Sequence, residues 1–115
     1  MNNLKELKIW NKAIDLTVDV YKATSSFPSD ERFGLISQSR RSAVSIPSNI
    51  AEGAGRKGLR DTANFYSIAK GSLYESVNII ILLEKLSLID LKKFDLKFVY
   101  SEAEEIVKML YVMSK

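Results

Sequence analysis

Apolar residues in this chain return every three or four positions in each stretch between breaks, and nowhere do they alternate over a useful length. That spacing gathers apolar groups on one side of a helix, whereas a half-buried strand needs period two, so the pattern commits the chain to an all-α architecture. Residues 4–25 read as a first helix, with Leu7, Trp10, Ile14, Val18 and Tyr21 along its apolar line. The run Ser25, Ser26, Phe27, Pro28 ends it. Ser29 is placed to cap a second helix, with Asp30 and Glu31 in the first turn, where negative charge suits the helix dipole. This helix is expected to run to about residue 52 and to bend at Pro47, which removes the backbone bond to Ala43 and crowds that carbonyl. Gly53 and Gly55 supply the stop.

The third helix should cover residues 59–86, with Ala63, Tyr66, Ala69 or Lys70, Leu73, Val77, Ile80 and Leu83 or Glu84 on one stripe. Asp90 can cap a fourth, flanked by Ile89 and Phe94 as a hydrophobic staple and followed by Phe98, Ala103, Ile106, Leu110 and Met113. Short connections make such helices antiparallel neighbours. The expected fold is an all-α, antiparallel, up-down four-helix bundle kinked at Pro47. At 115 residues it forms one domain, residues 1–115, that buries about two-thirds of its unfolded surface.

Composition narrows the chemistry. The chain has no cysteine and no histidine, which removes disulfides, thiolates, Ser-His and Cys-His dyads, the usual zinc sites and the Glu-x-x-His pairs of di-iron bundles. Glu102, Glu104 and Glu105 read as a solvated face pairing with lysines. Gly53, Gly55 and Gly58 satisfy G-x-G-x-x-G, but that fingerprint needs a strand feeding the turn, and here a helix precedes it. No enzyme activity, metal or cofactor is expected. The N-terminus lacks an apolar run of signal-peptide length, and the apolar run at residues 79–83 is too short to span a membrane. A cytoplasmic protein that avoids membranes is expected.

Charge is uneven. The net value is +3, yet residues 32–70 hold seven basic against two acidic side chains, a local +5, and every arginine lies between positions 32 and 60. Arginine is the better bidentate partner for phosphate. Arg41, Arg56, Lys57 and Arg60 are therefore the candidate nucleic-acid contacts, the last three beside backbone N–H groups at the start of helix three. Arg40 falls in the apolar stripe of helix two and needs an acidic partner, for which Glu75 is the candidate; Asn49 and Glu52 complete a structural polar network around the bend. Tyr66, Tyr74, Tyr100 and Tyr111 could stack on bases, although aromatics at helical spacing more often fill cores or interfaces. Ile79, Ile80, Ile81, Leu82 and Leu83 step about 100° each, so they surround helix three with apolar groups that one core cannot cover. That run marks an oligomer interface.

Several segments resemble the four-helix bundle proteins encoded within intervening sequences of bacterial 23S ribosomal RNA genes, sometimes described as ribosomal-protein-like. They are Leu7 to Trp10 with Ala13, Phe27-Pro28, Arg32 to Leu35, Gln38 to Arg41, Ser45 to Gly53, Gly55-Arg56 and Gly71 to Glu75. The fold is in turn similar to the accessory variability protein of diversity-generating retroelements, a basic pentameric bundle that binds nucleic acid and a reverse transcriptase. The resemblance implies a homo-oligomer, a five-membered ring, with RNA or DNA as partner. A reverse transcriptase is a further partner it raises, although the modest net charge departs from that strongly basic protein. Two readings follow: an oligomeric, non-catalytic nucleic-acid-binding module, or an oligomeric protein-interaction scaffold without nucleic-acid affinity.

Overall fold

The computed structural model describes residues 3–25, 34–92 and 94–115. They form a 3-10 turn, Leu4–Glu6, and four α-helices: α1 Lys8–Thr24, α2 Leu35–Ala54, α3 Leu59–Lys85 and α4 Leu96–Met113. No strand occurs among the described residues. The expected cap at Ser29 with Asp30 and Glu31 lies outside them.

The first helix is shorter than its periodicity suggests, because Leu7 is extended and separates the turn from α1. Asn11 ties the two together, its amide donating to the Lys5 and Leu7 carbonyls at 2.7 and 3.1 Å. Its buried line is Ile9, Ala13, Leu16, Val20 and Ala23, not the expected Leu7, Trp10, Ile14, Val18 and Tyr21. Val18 and Tyr21 are exposed, and the other three are half-buried. Ile9, Leu16 and Val20 supply the bulk of this face, while Ala13 beside them leaves room for a neighbouring helix.

Thr17 answers the problem that Pro47 poses. Pro47 lies inside α2 and is buried. Having no N–H, it leaves the Ala43 carbonyl without its helical donor. The buried Thr17 hydroxyl on α1 lies 3.0 Å from that oxygen and donates to it, sharing its proton with the Ala13 carbonyl at 2.8 Å.

The α2 and α3 helices pack along a seam of small residues. Ser76 donates to Ser42 at 2.9 Å, and the Ser45 and Ser72 hydroxyls are 2.8 Å apart. Gly53, expected to end α2, is instead a buried helical residue against Tyr66; a Cβ there would sit 2.8 Å from Tyr66 Cε1. The chain leaves α2 at Gly55, whose φ of −85° is ordinary right-handed backbone. At the far end of α3, Ser87 takes the left-handed conformation (φ 58°). The Ser87 and Leu88 N–H groups then return to the Glu84 and Leu83 carbonyls, both at 2.9 Å, the paired bonds of a Schellman stop.

Asp95, not Asp90, caps α4, accepting from the Lys97 and Phe98 N–H groups at 3.1 and 3.3 Å. Asp90 accepts from Lys92 N–H within the connection. The expected Ala103, Ile106 and Leu110 are buried and are joined by Leu96 and Val99, whereas Phe98, expected inside, is 56% exposed. Lys12 of α1 holds this helix from outside, 3.0 Å from Glu105 and 3.7 Å from Glu102. No helix among the described residues is long and apolar enough to cross a membrane.

Candidate nucleic-acid interface

The turn between α2 and α3 is four residues long, 55–58, so the cations in it and just after it are brought together. Gly58 begins α3 with no side-chain cap, and Asp61 lies in the first turn. Arg56 is not idle there. Its guanidinium reaches Glu52 at 3.2 Å and Asp61 at 3.7 Å and lies 4.7 Å from the centre of the Phe65 ring. Lys57 and Arg60 are exposed, and neither forms an ion pair with a described residue. The three cations against Glu52 and Asp61 leave an excess of one positive charge, carried outward by Lys57 and Arg60.

Arg41 does not join them. It stands fifteen residues before Arg56, roughly 22 Å along a helical rise, on an exposed surface with Tyr21, Arg40 and Val44. The helical reading of α2 already implies this separation, since the helix runs on from Arg41 to Ala54 before the turn begins.

The structural network divides too. Arg40 turns to α1 instead of Glu75: its Nε donates to Thr24 Oγ1 at 3.0 Å, an Nη to the Tyr21 carbonyl at 3.3 Å, and the group lies 4.5 Å from the Tyr21 ring centre. It thus closes the C-terminal turn of α1, where orphan carbonyls and the dipole favour a cation. Helical periodicity places Arg40 on an inward-leaning face without saying which neighbour that face meets. Asn49 donates to the Ser45 carbonyl and hydroxyl at 2.8 and 2.9 Å, which links it through Ser45 to Ser72. Glu52 serves Arg56, and Glu75 is exposed. Thr17, Ser42, Ser45, Ser72 and Ser76 carry the polar links that sequence reading missed; the serine pairs at 42 and 45, and at 72 and 76, are the available signal.

The expected interface run is split. Ile79, Ile80 and Leu83 belong to the core, so only Ile81 (39% exposed) and Leu82 (41%) remain outside. Leu82 shares one line of α3 with Ile68 and Leu86, both exposed, whereas Ile81 borders a groove with Tyr74 on α3 and Tyr100 and Val107 on α4.

Protonation follows burial more than charge clustering. Burial, and then a 2.8 Å hydrogen bond donated to Glu84, push the Tyr100 phenol up to about 12. Burial also raises Tyr66. Asp19 is raised by burial first, with Lys22 opposing and Asp15 adding. Lys12 is raised chiefly by its bond to Glu105. None of these lies in the cationic turn.

No curated protein sequence matches the chain. The family described as 23S rRNA-intervening sequence protein matches residues 5–112, which take in α1, α2 and α3 whole and all of α4 but its last residue. The chain belongs to the 23S rRNA-intervening sequence protein family.

Proposed function

We propose that the chain is a non-catalytic, self-associating module that binds the phosphate backbone of RNA or DNA. The observation that carries this reading is the exposure of Lys57 and Arg60 beside Arg56 at the uncapped start of α3. One such turn binds weakly, but an assembly offers several copies to one polymer, and linked contacts raise avidity without new chemistry. The stoichiometry proposed is five, in a closed ring, in the cytoplasm. Self-association is supported by Leu82 and Leu86, exposed at the C-terminal end of α3, with Ile68 exposed on the same line on the far side of Glu75.

The underlying architecture we propose is antiparallel and up-down, with a bend at Pro47. Pairs that run in opposite chain directions support it: Thr17 with Ala43 and Thr24 with Arg40 across α1 and α2, and Ser42 with Ser76 and Ser45 with Ser72 across α2 and α3. The bend is supported by the Ala43 carbonyl, which looks outside its own helix for a donor.

Electrophoretic titration against structured RNA and duplex DNA tests the reading. Phosphate contacts carry no sequence information, so binding should be weakly specific. Charge reversal at Arg56, Lys57 and Arg60 should weaken it and flatten its salt dependence while helicity and assembled mass stay unchanged. Reversal that leaves binding intact removes the turn from the account. A second reading, a protein scaffold without nucleic-acid affinity, is favoured by the same aliphatic line of α3, and it prevails if the wild-type protein shifts neither nucleic acid at low salt.

A further inference from the structure

The four tyrosines that could stack on bases have different fates in the fold. Tyr66 is buried against Gly53, and Tyr100 is half-buried and tied to Glu84. Tyr74 and Tyr111 are 63% and 57% exposed and line one shallow surface with Lys70, Val107, Lys108 and Val112. Its lining holds no acidic residue, and Glu104 lies in the adjoining groove that shares Tyr74, Val107 and Lys108. The Lys70 and Lys115 ammonium groups lie 5.3 and 4.8 Å from the centre of the Tyr111 ring. Lys108 pairs only loosely with Glu104, at 3.9 Å, and both side chains are well exposed.

We infer that Tyr74 and Tyr111, ringed by Lys70, Lys108 and Lys115, form a stacking platform for the unpaired bases of single-stranded nucleic acid. A base presents a π-face whatever its identity, so aromatic rings held at the surface bind it without reading sequence, while neighbouring cations follow its phosphates. The lysines are already drawn to the ring face by its quadrupole and need swing only a short way to a phosphate. Composition favours this occupant over a second copy of the chain, because protein–protein interface cores are depleted in lysine and this small patch holds three. The inference rests on the nucleic-acid reading above but uses a different site. Tyr74 lies fourteen residues beyond Arg60 on α3, roughly 21 Å along the axis, so the two can be disabled separately.

The test is fluorescence anisotropy of the full chain at low salt with a labelled oligo(dT) of about 15 nucleotides and with a blunt duplex of the same length. Tyr74→Ala and Tyr111→Ala should each weaken oligo(dT) binding by about 5- to 150-fold, with duplex binding and assembled mass unchanged. Tyr→Phe at either position should retain affinity, and Lys70→Gln with Lys108→Gln should flatten the salt dependence for oligo(dT). Variants that bind oligo(dT) like wild type while duplex binding persists overturn the platform and leave the cationic turn standing. Loss of duplex binding on reversal of Arg56, Lys57 and Arg60, with oligo(dT) binding retained, supports two separate sites. A Tyr74→Ala variant whose assembled mass falls while its oligo(dT) affinity holds assigns the patch to a second copy and overturns the inference, as does a wild-type protein that binds neither probe.

Discussion

Replacing Thr17 with valine removes one hydroxyl at nearly constant volume and isolates the device that lets Pro47 sit inside α2. The Ala13 carbonyl, which shares the hydroxyl proton, keeps the backbone N–H of Thr17 as its helical donor. The Ala43 carbonyl has no such fallback, because its helical donor would be the N–H that Pro47 lacks. Both groups are buried, so a carbonyl left unpaired there costs about 1–3 kcal/mol, and the shared proton argues for the lower half of that range. Urea unfolding followed by circular dichroism, at fixed protein concentration since assembly shifts apparent stability, should show a loss of about 1–2 kcal/mol with an unchanged denaturant slope. The same substitution in a Pro47→Ala background should cost less by about 1 kcal/mol, because alanine restores the N–H and the hydroxyl becomes dispensable. Equal costs in the two backgrounds would refute the coupling, and a cost near zero in the wild type would show that the carbonyl is satisfied elsewhere.

Gly53→Ala should destabilise by about 1–2 kcal/mol in the same assay, since overpacking against Tyr66 Cε1 at 2.8 Å and Phe65 Cβ at 3.2 Å exceeds the gain in helix propensity; a more stable variant would mean that the Tyr66 ring moves aside freely. Ser87→Gly should stabilise by about 1 kcal/mol by relieving a left-handed residue at the end of α3, and a lowered melting temperature counts against it. Tyr100 holds its proton in the folded state up to about 12, while the unfolded chain releases it near 10. Stability contributed there is complete below the unfolded value and falls as pH rises toward the folded one. Tyr100→Phe should therefore lose stability at neutral pH and flatten the alkaline decline seen in pH-dependent melting; an unaltered alkaline slope assigns that decline to other groups.

Element number and type are legible in the sequence because helical periodicity, two prolines and clustered glycines leave little else to build. α3 reads well, its stripe through Tyr66, Leu73, Ile80 and Leu83 being long and bulky. α1 reads poorly, because it carries two apolar lines at helical spacing, Ile9, Leu16 and Val20 on one and Leu7, Trp10, Ile14, Val18 and Tyr21 on the other, and periodicity alone does not choose between them. Asp90 and Asp95 are both competent caps, and only packing of Ile89 and Leu96 into the core decides between them. At the candidate site, Arg56, Lys57 and Arg60 are close in the chain and stay together at the turn, whereas Arg41 lies inside α2, fifteen residues before Arg56, and a count of charge over residues 32–70 grouped it with them. Glu75 fails as the partner of Arg40 for a related reason: spacing along one helix says nothing about which neighbour faces it. The polar seam of Thr17 and the serines is hardest to see, since a hydroxyl buried for a hydrogen bond and one exposed to water look alike in sequence.

Nucleic-acid binding by this chain is decided by the affinity of the wild-type protein for a duplex across a series of salt concentrations. Binding through exposed cations releases counterions, so the logarithm of the association constant should fall linearly with the logarithm of salt, by about 0.9 per phosphate neutralised. At least two phosphates per bound copy are expected from Lys57 and Arg60, giving a slope of about −1.8 or steeper for each engaged turn. Absence of binding at low salt, or affinity that ignores salt, would contradict the account.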